Sequence, residues 1–572
     1  MEHSDLRRKI TVMVAVLGAL LFASLNQTIV GTALPRIASE LDGMEYYSWV
    51  FTVYMLASTV TGALVGKLSD IFGRKPFILA GIVIFIIGSF LCGLSRTFVQ
   101  LILFRIVQGL GAGVVISTSF MAVGDLFAPR ERGRWQGIMG SVFGVSSVLG
   151  PALGGYIVDN ADWHWVFWVF LPLGLVALLL IWILYPSVPR TEGEKVDYFG
   201  SLLLAACIVP LLLAFSWGGT RYDWDSPQLL GWLAVSALAL VLFIAAERKA
   251  SGPVLPLHLF KNSIFTLSNL GSFMVGIAMF GTIMYMPMFV QGVQGISATL
   301  SGYVVMPITL SMVISGAVGG QFITRTGKYK GNVLGGLVVI ALGLFLASTM
   351  TAKTPIWLAI LYMVIVGAGI GVANPTLTLI VQNAVPDRQL GVATASSQLF
   401  RQLGGTLGVS LLGTVMSHRV AVRMADTPPA EAADGGGLDP GLLQQWQNTQ
   451  LLVDPDKLEQ IRSQLPETLL GLFDETLGAL RGALEYGLSG TFLCSACAVL
   501  AALVLMFWLK EIPLRTGRAA KPLPAGEADG TEIESIERSP VREQQAEAPA
   551  ERKPQSAGMK EVRPSMQDTP RA

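Results

Sequence analysis

Arg105 lies a turn or more inside the apolar run 98–122. A charge at that depth costs at least about 2.5 kcal/mol on insertion scales, so it must face a wet or polar interior. A guanidinium there can act as a hydrogen-bond hub for neighbouring carbonyls. The same cost attaches to Arg401 in the run 390–417, more weakly because that run could begin lower. Asp70 sits in the loop Gly66-Lys67-Leu68-Ser69-Asp70-Ile71-Phe72-Gly73-Arg74-Lys75. At a helix end, its carboxylate can pair with a guanidinium and accept from the N-terminus of a neighbouring helix, a latch that breaks if two bodies move apart. Amides and aromatics that could meet a ligand are Asn26, Gln27, Trp49, Tyr54, Gln108, Asn374 and Gln382. Met284, Tyr285 and Met288 would add polarisable, adaptable contacts.

Chemistry of other kinds has little to work with. No H-E-x-x-H, nucleophile elbow or acid pair falls in an apolar run, and the histidines are only His3, His164, His258 and His418, so no enzyme is expected. No Walker A sequence is present to couple ATP. The strings Gly109, Gly111, Gly113 and Gly367, Gly369, Gly371 imitate nucleotide loops, but no strand precedes them, and helix packing is the better reading. Cys92, Cys207, Cys494 and Cys497 all fall in apolar runs without metal spacing, so neither a metal nor a cofactor is expected.

The residues that could act must be held by membrane helices. With 572 residues, 52% of them hydrophobic and 14% charged, the chain cannot hide its apolar surface in one or two water-soluble cores. Runs long enough to cross a hydrocarbon core of about 30 Å recur at 10–34, 46–66, 77–95, 98–122, 135–158, 164–185, 198–217, 228–246, 264–291, 299–323, 332–350, 355–383, 390–417 and 486–509. These predict fourteen spans. Lys and Arg crowd alternate loops: Lys67, Arg74 and Lys75; Arg130, Arg132 and Arg134; Arg190 and Lys195; Arg248, Lys249 and Lys261; Arg325, Lys328 and Lys330; then Arg388. The short opposite loops hold only Arg36, Arg96, Arg221 and Lys353, which places the first set, and both termini, in the cytoplasm. A net charge of +1 gives no reason to expect a nucleic acid partner; the partner implied is the bilayer.

Shifted by 254 positions, Gly62, Gly66, Gly73, Gly81, Gly113, Gly137, Gly150 and Gly154 land on Gly316, Gly320, Gly327, Gly335, Gly367, Gly391, Gly404 and Gly408. Such duplication in an apolar chain points to a secondary transporter with its site between two halves near the bilayer midplane. The predicted organisation is a six-helix bundle over 1–186, a linker with two inserted spans over 187–262, and a second six-helix bundle over 263–509. The latter includes an outward amphipathic segment, 418–485, expected to pack as a cap rather than a lid. A tail over 510–572, rich in Pro, Glu, Lys, Arg, Ser and Ala, is expected to be disordered. In the second half Thr324 replaces the aspartate of the loop, so any latch is one-sided.

The loop from Gly66 to Lys75 resembles the signature of the major facilitator superfamily. Three further segments resemble its fourteen-helix drug:proton antiporter branch: Leu25 to Pro35, Arg105-Ile106-Val107-Gln108-Gly109, and Gly144 through Gly150, Pro151, Gly154 and Gly155. The resemblance implies an all-α fold of two pseudo-symmetric six-helix bundles plus two inserted helices. It implies that the first, second, fourth, fifth, ninth, tenth, twelfth and thirteenth spans line a central cavity. It further implies proton-coupled export of small lipophilic or amphiphilic drugs from a bacterial inner membrane by a monomer, with Arg105 and position 26 in coupling and with Gly144, Gly150, Pro151 and Gly154 in helix packing. Relatives usually carry aspartate where this chain has Asn26, and an amide cannot titrate. An engineered neutralisation leads the alternatives; the others are coupling placed elsewhere or absent. Without a midplane carboxylate, neutral, amphiphilic or weakly cationic substrates are expected. A dedicated exporter of one lipid or metabolite, or a channel or sensor on the same scaffold, stays open.

Overall fold

The fourteen apolar runs all fold as helices, for a reason that lies in the solvent. Within lipid no water can satisfy a backbone N–H or C=O, and a helix bonds its own. The computed structural model describes residues 2–41, 49–186, 197–218, 222–250, 252–296, 298–426, 452 and 455–512; these belong to one compact unit, Met1–Arg518. The tail expected beyond 512 lies outside the described residues, as do 187–196 of the linker and 427–451 of the outward segment. Helices α1 (Glu2–Glu40), α2 (Trp49–Phe72), α3 (Arg74–Gly93), α4 (Phe98–Leu126) and α5 (Pro129–Asn160) open the chain. The predicted sixth span is broken into α6 (Trp165–Trp168) and α7 (Leu171–Leu184), because Pro172 has no N–H to continue the ladder. Next come α8 (Tyr198–Trp217), α9 (Pro227–Glu247), α10 (Ser263–Met288), α11 (Ala298–Thr326), α12 (Lys330–Ser348), α13 (Ile356–Asn383) and α14 (Leu390–Asp426). After Pro287, α10 runs on into a π turn over Phe289–Val293.

Two boundaries differ from expectation. The last span is the end of a 41-residue helix, α16 (Glu467–Phe507), preceded by the short α15 (Pro455–Gln464). At 1.5 Å per residue α16 is about 60 Å long, twice the thickness of a hydrocarbon core. The leucine stripe of the outward segment is explained by its first half: Leu472, Phe473, Leu477 and Leu480 are buried in the core of the second repeat. Likewise α14 continues to Asp426 rather than stopping near 417, and Arg419 there donates to the Tyr486 carbonyl of α16 at 3.1 Å.

Among the described residues, twelve helical segments are long and apolar enough to cross a membrane. The predicted spans that fall short are α5 and α14. Both carry inward-facing polar groups, such as Gln136 and Ser146 on α5 and Arg401 and Gln402 on α14, which dilute their hydropathy.

The 254-residue shift is a packing rule. Helices α2 and α4, α3 and α4, and α1 and α5 pack together, and so do their shifted counterparts α11 and α13, α12 and α13, and α10 and α14. The repeats meet along two seams, α2 with α14 and α5 with α11, and the shift exchanges these too. Their registers differ by one turn. On one seam Gly137 faces Gly316 and Gly133 faces Gly320; the shift would bring Gly391 to Gly62, yet it lies against Gly66. Helix α8 packs on both α2 and α14, so the inserted pair covers that seam. Trp217 of α8 sits 4.9 Å from the Trp49 ring.

Glycine makes these approaches possible, since lipid tails give helices no hydrophobic push toward one another and association rests on contact. A Cβ on Gly113 would collide with the Ser58 carbonyl and lie 3.0 Å from the Gly62 nitrogen, whereas nothing lies within 4 Å of one on Gly335. Gly113→Val is therefore expected to destabilise the purified protein by about 1–3 kcal/mol, seen as a lower melting temperature in detergent. Gly335→Val should stay within about 0.5 kcal/mol of the parent.

Candidate functional site

Eight helices, α1, α2, α4 and α5 from the first repeat and α10, α11, α13 and α14 from the second, enclose a cavity of about 250 Å³. They are the eight that the resemblance implied. Gln27 and Asn374, expected to meet a ligand, line it. So does Arg401, which is the one charged side chain among the lining residues. Eleven positions past the start of α14, it stands about 16 Å along the helix, near the middle of a 30 Å core. Its Nη1 donates to Asn374 Oδ1 at 3.0 Å and its Nη2 donates to Gln398 Oε1. In the sequence Arg401 stands out less than Arg105 because the run that holds it has no sharp start. The signal was present, a cation deep in an apolar run.

Four of the expected residues form a separate, buried network beside the cavity. Arg105 is 0% exposed; its Nε donates to the Val50 carbonyl at 3.3 Å and its Nη1 to Gln108 Oε1 at 2.6 Å. Gln108 Nε2 donates to Asn26 Oδ1 at 2.9 Å, and Asn26 Nδ2 donates to the Ser89 hydroxyl at 3.3 Å. The Ser89 hydroxyl in turn donates to the Phe167 carbonyl at 2.8 Å. The guanidinium lies over the Tyr54 ring, 4.1 Å from its centroid, a cation–π contact strengthened by the loss of water. The chain runs from donor to acceptor without a carboxylate. Asn26 fits it as an amide, because Ser89 has spent its proton on Phe167 and needs a donor at position 26.

The loop after α2 closes one end of the molecule. Asp70 Oδ1 accepts from the Gly391 N–H at 3.2 Å and Oδ2 from the Val392 N–H at 3.1 Å. These are the first N–H groups of α14, where unpaired donors and the helix dipole favour an anion. Arg74 bonds Asp70, reaches Ser69 at 2.5 Å, and pairs with Asp125 at 3.0 Å. Gly73 has φ 91°, a conformation only glycine adopts without strain, and a Cβ on Gly66 would stand 2.6 Å from that of Ala395. Lys75 makes none of these bonds. At the matching place in the second repeat, the Thr324 hydroxyl donates to the Gly320 carbonyl of its own helix at 2.8 Å. Gln136 and Gln382 add a further tie across the repeats at 3.1 Å.

Other expected residues are placed differently. Trp49 packs on α8 rather than lining the cavity. Tyr285 is buried and donates to the Val409 carbonyl at 2.6 Å; Met288 packs in the core of the second repeat; Met284 is 61% exposed, away from the lining. In the packing motif, Gly144 lies against Val313 and Thr309 of α11, and Gly150 against Thr28 of α1. Gly154 is buried, while the side chain of Pro151 lies outside the described residues.

Two repeats of membrane helices around a chamber lined by polar and apolar side chains, tied at one end by hydrogen bonds, define a secondary-transporter fold. The sequence profile of the Major Facilitator Superfamily matches residues 16–409, and the chain belongs to that superfamily. It is 36% identical over 510 residues to the multidrug transporter protein MdtP of Bacillus subtilis (strain 168), covering 88% of this chain and 93% of that one. It is 34% identical over 508 residues to multidrug resistance protein 3 of the same organism, covering 88% and 96%. Among solved structures, the proton:xylose symporter XylE superimposes with a TM-score of 0.56 at 15% identity, covering 88% of this chain and 97% of that one. The chain is thus a multi-pass membrane protein with the superfamily's fold.

Asp70→Asn should loosen the closed end. Each lost charge-assisted hydrogen bond is worth about 1.5 kcal/mol, so exchange of the Gly391 and Val392 amides, read by hydrogen–deuterium exchange, is expected to rise at least about tenfold. Thr324→Ala should leave those amides unchanged.

Proposed function

We propose that the chain exports small lipophilic or amphiphilic compounds, drugs among them, across a bacterial inner membrane by alternating access. The observation that carries this reading is the cavity itself: eight helices drawn equally from two repeats surround it, and it is closed at one end by Asp70 on the start of α14. Parting of the repeats along the seam of α2 and α14 would release those two bonds and expose the chamber to the other side. The relatives named as multidrug transporters support the class of cargo. In this reading all fourteen helical runs span, with both termini on the side of the cationic loops, and a monomer suffices because the chamber is complete within one chain.

Exchange for protons, the finer expectation, needs a group that titrates as access alternates. Among the described residues, no carboxylate lines the cavity. The place where an acid would act is position 26, two hydrogen bonds from Arg105 through Gln108. There a carboxylate would be stabilised by the guanidinium and released by protonation. Asn26 removes that step from this chain, which leaves substrate movement intact and its coupling to pH weak.

Expression in a drug-sensitive bacterium is expected to raise resistance to several unrelated lipophilic compounds; protection against one class alone would favour a dedicated exporter. In proteoliposomes, Asn26→Asp is expected to make export depend on an imposed pH gradient. Identical flux and pH response in the two proteins would remove α1 from coupling, and large ohmic currents would mark a channel instead.

A further inference from the structure

We propose that the chamber is built for amphiphiles with an anionic head, a carboxylate or sulfonate, which Arg401 binds while the tail lies against an apolar wall. The inference deepens the export reading above and rests on it for the direction of movement. Among the described residues, Arg401 brings the one formal charge to the cavity lining, and no acid accompanies it there. Its two partners, Asn374 Oδ1 and Gln398 Oε1, are neutral, so they orient the guanidinium without cancelling its charge. A guanidinium carries five N–H donors in a planar fork that matches a carboxylate, and these two bonds leave donors over.

The head group is selected by electrostatics in a chamber surrounded by eight helices, where charges are screened less than in bulk water. A cation entering would meet an uncompensated like charge. A neutral head would displace water from the guanidinium and return weaker bonds, whereas a carboxylate or sulfonate supplies the charge-assisted pair that the fork lacks. Arg105, also without an acidic partner among the described residues, adds a second positive charge to the bundle. The tail has its own surface: Met55, Phe120, Phe143, Met279, Phe280 and Met312 line the same cavity, and thioethers beside rings adapt to varied apolar shapes. The proposal departs from the expectation of neutral or weakly cationic cargo, which rests on the absence of a midplane carboxylate alone.

An anionic cargo also gives Asn26 a rationale. The membrane potential, negative inside, drives an anion outward by itself, and an exporter of anions needs no titrating carboxylate to work.

The test uses three probes with one dansyl-labelled alkyl tail and different heads: a carboxylate, its methyl ester and a trimethylammonium. In fluorescence titrations of the purified full chain above the carboxylate's titration range, the carboxylate is expected to bind at least about tenfold tighter than either other probe, the scale of one charge-assisted pair. Arg401→Gln should erase the preference and Arg401→Lys should keep part of it. Asn374→Asp places an acid beside an intact Arg401 and should erase the preference as well, a check that does not depend on Arg401→Gln folding. Equal affinity for the three heads, or a preference that survives both Arg401→Gln and Asn374→Asp, overturns the proposal. Proteoliposome flux separates it from the export reading. If the ammonium probe is carried and the carboxylate is not, the anion site falls while the exporter stands. If the carboxylate binds through Arg401 but no probe crosses, the exporter falls while the anion site stands.

Discussion

Inside a bilayer, apolar side chains gain nothing by leaving lipid for protein, so helices are held only by what they bring into direct contact. That constraint is visible wherever the two repeats touch. Gly133 and Gly137 on one seam, and Gly66 and Gly391 on the other, let backbones approach to distances that a Cβ would forbid. The few polar side chains at the seams then decide where the contact locks.

Asp70 is the clearest of these. It holds the start of α14 by two backbone N–H groups and is itself held by Arg74, which Asp125 anchors in turn. The acid draws Gly391 level with Gly66, one turn away from the register of the other seam, where Thr324 stands at the matching position. Two surfaces with the same glycine spacing therefore rest in different registers. The contact is made of hydrogen bonds between one side-chain carboxylate and two backbone N–H groups, which the proposed cycle would break and remake.

Charge is distributed in the same economical way. Two guanidinium groups lie deep in the bundle, and each is met by amides, carbonyls or a ring rather than by an acid. Around Arg105 the result is a closed network with Asn26 as a fitted member. Around Arg401 it is a charge presented to a chamber. The difference lies in what surrounds each side chain, since both are arginines about two turns or more inside a helix.

The sequence by itself determined the helices, their approximate ends and the duplication, because length, hydropathy and glycine spacing answer directly to lipid and to close packing; the eight helices around the chamber followed only from the resemblance of its motifs to a known family. It also marked Asp70 and its loop, whose residue types have few other uses at a helix end. Which polar residues face the cavity was decided only by tertiary structure. Asn26 and Gln27 are neighbours on α1, yet one closes a buried network and the other lines the chamber; Met284 and Tyr285 are neighbours on α10, yet one is exposed and the other buried. Successive helical positions differ by about 100°, so a rotation that no local pattern fixes assigns each side chain to lipid, core or cavity. Val50 and Tyr54 reach Arg105, and Asn374 reaches Arg401, from other helices, and the contrast between a cation buried beside the cavity and one that lines it could emerge only when those helices were brought together.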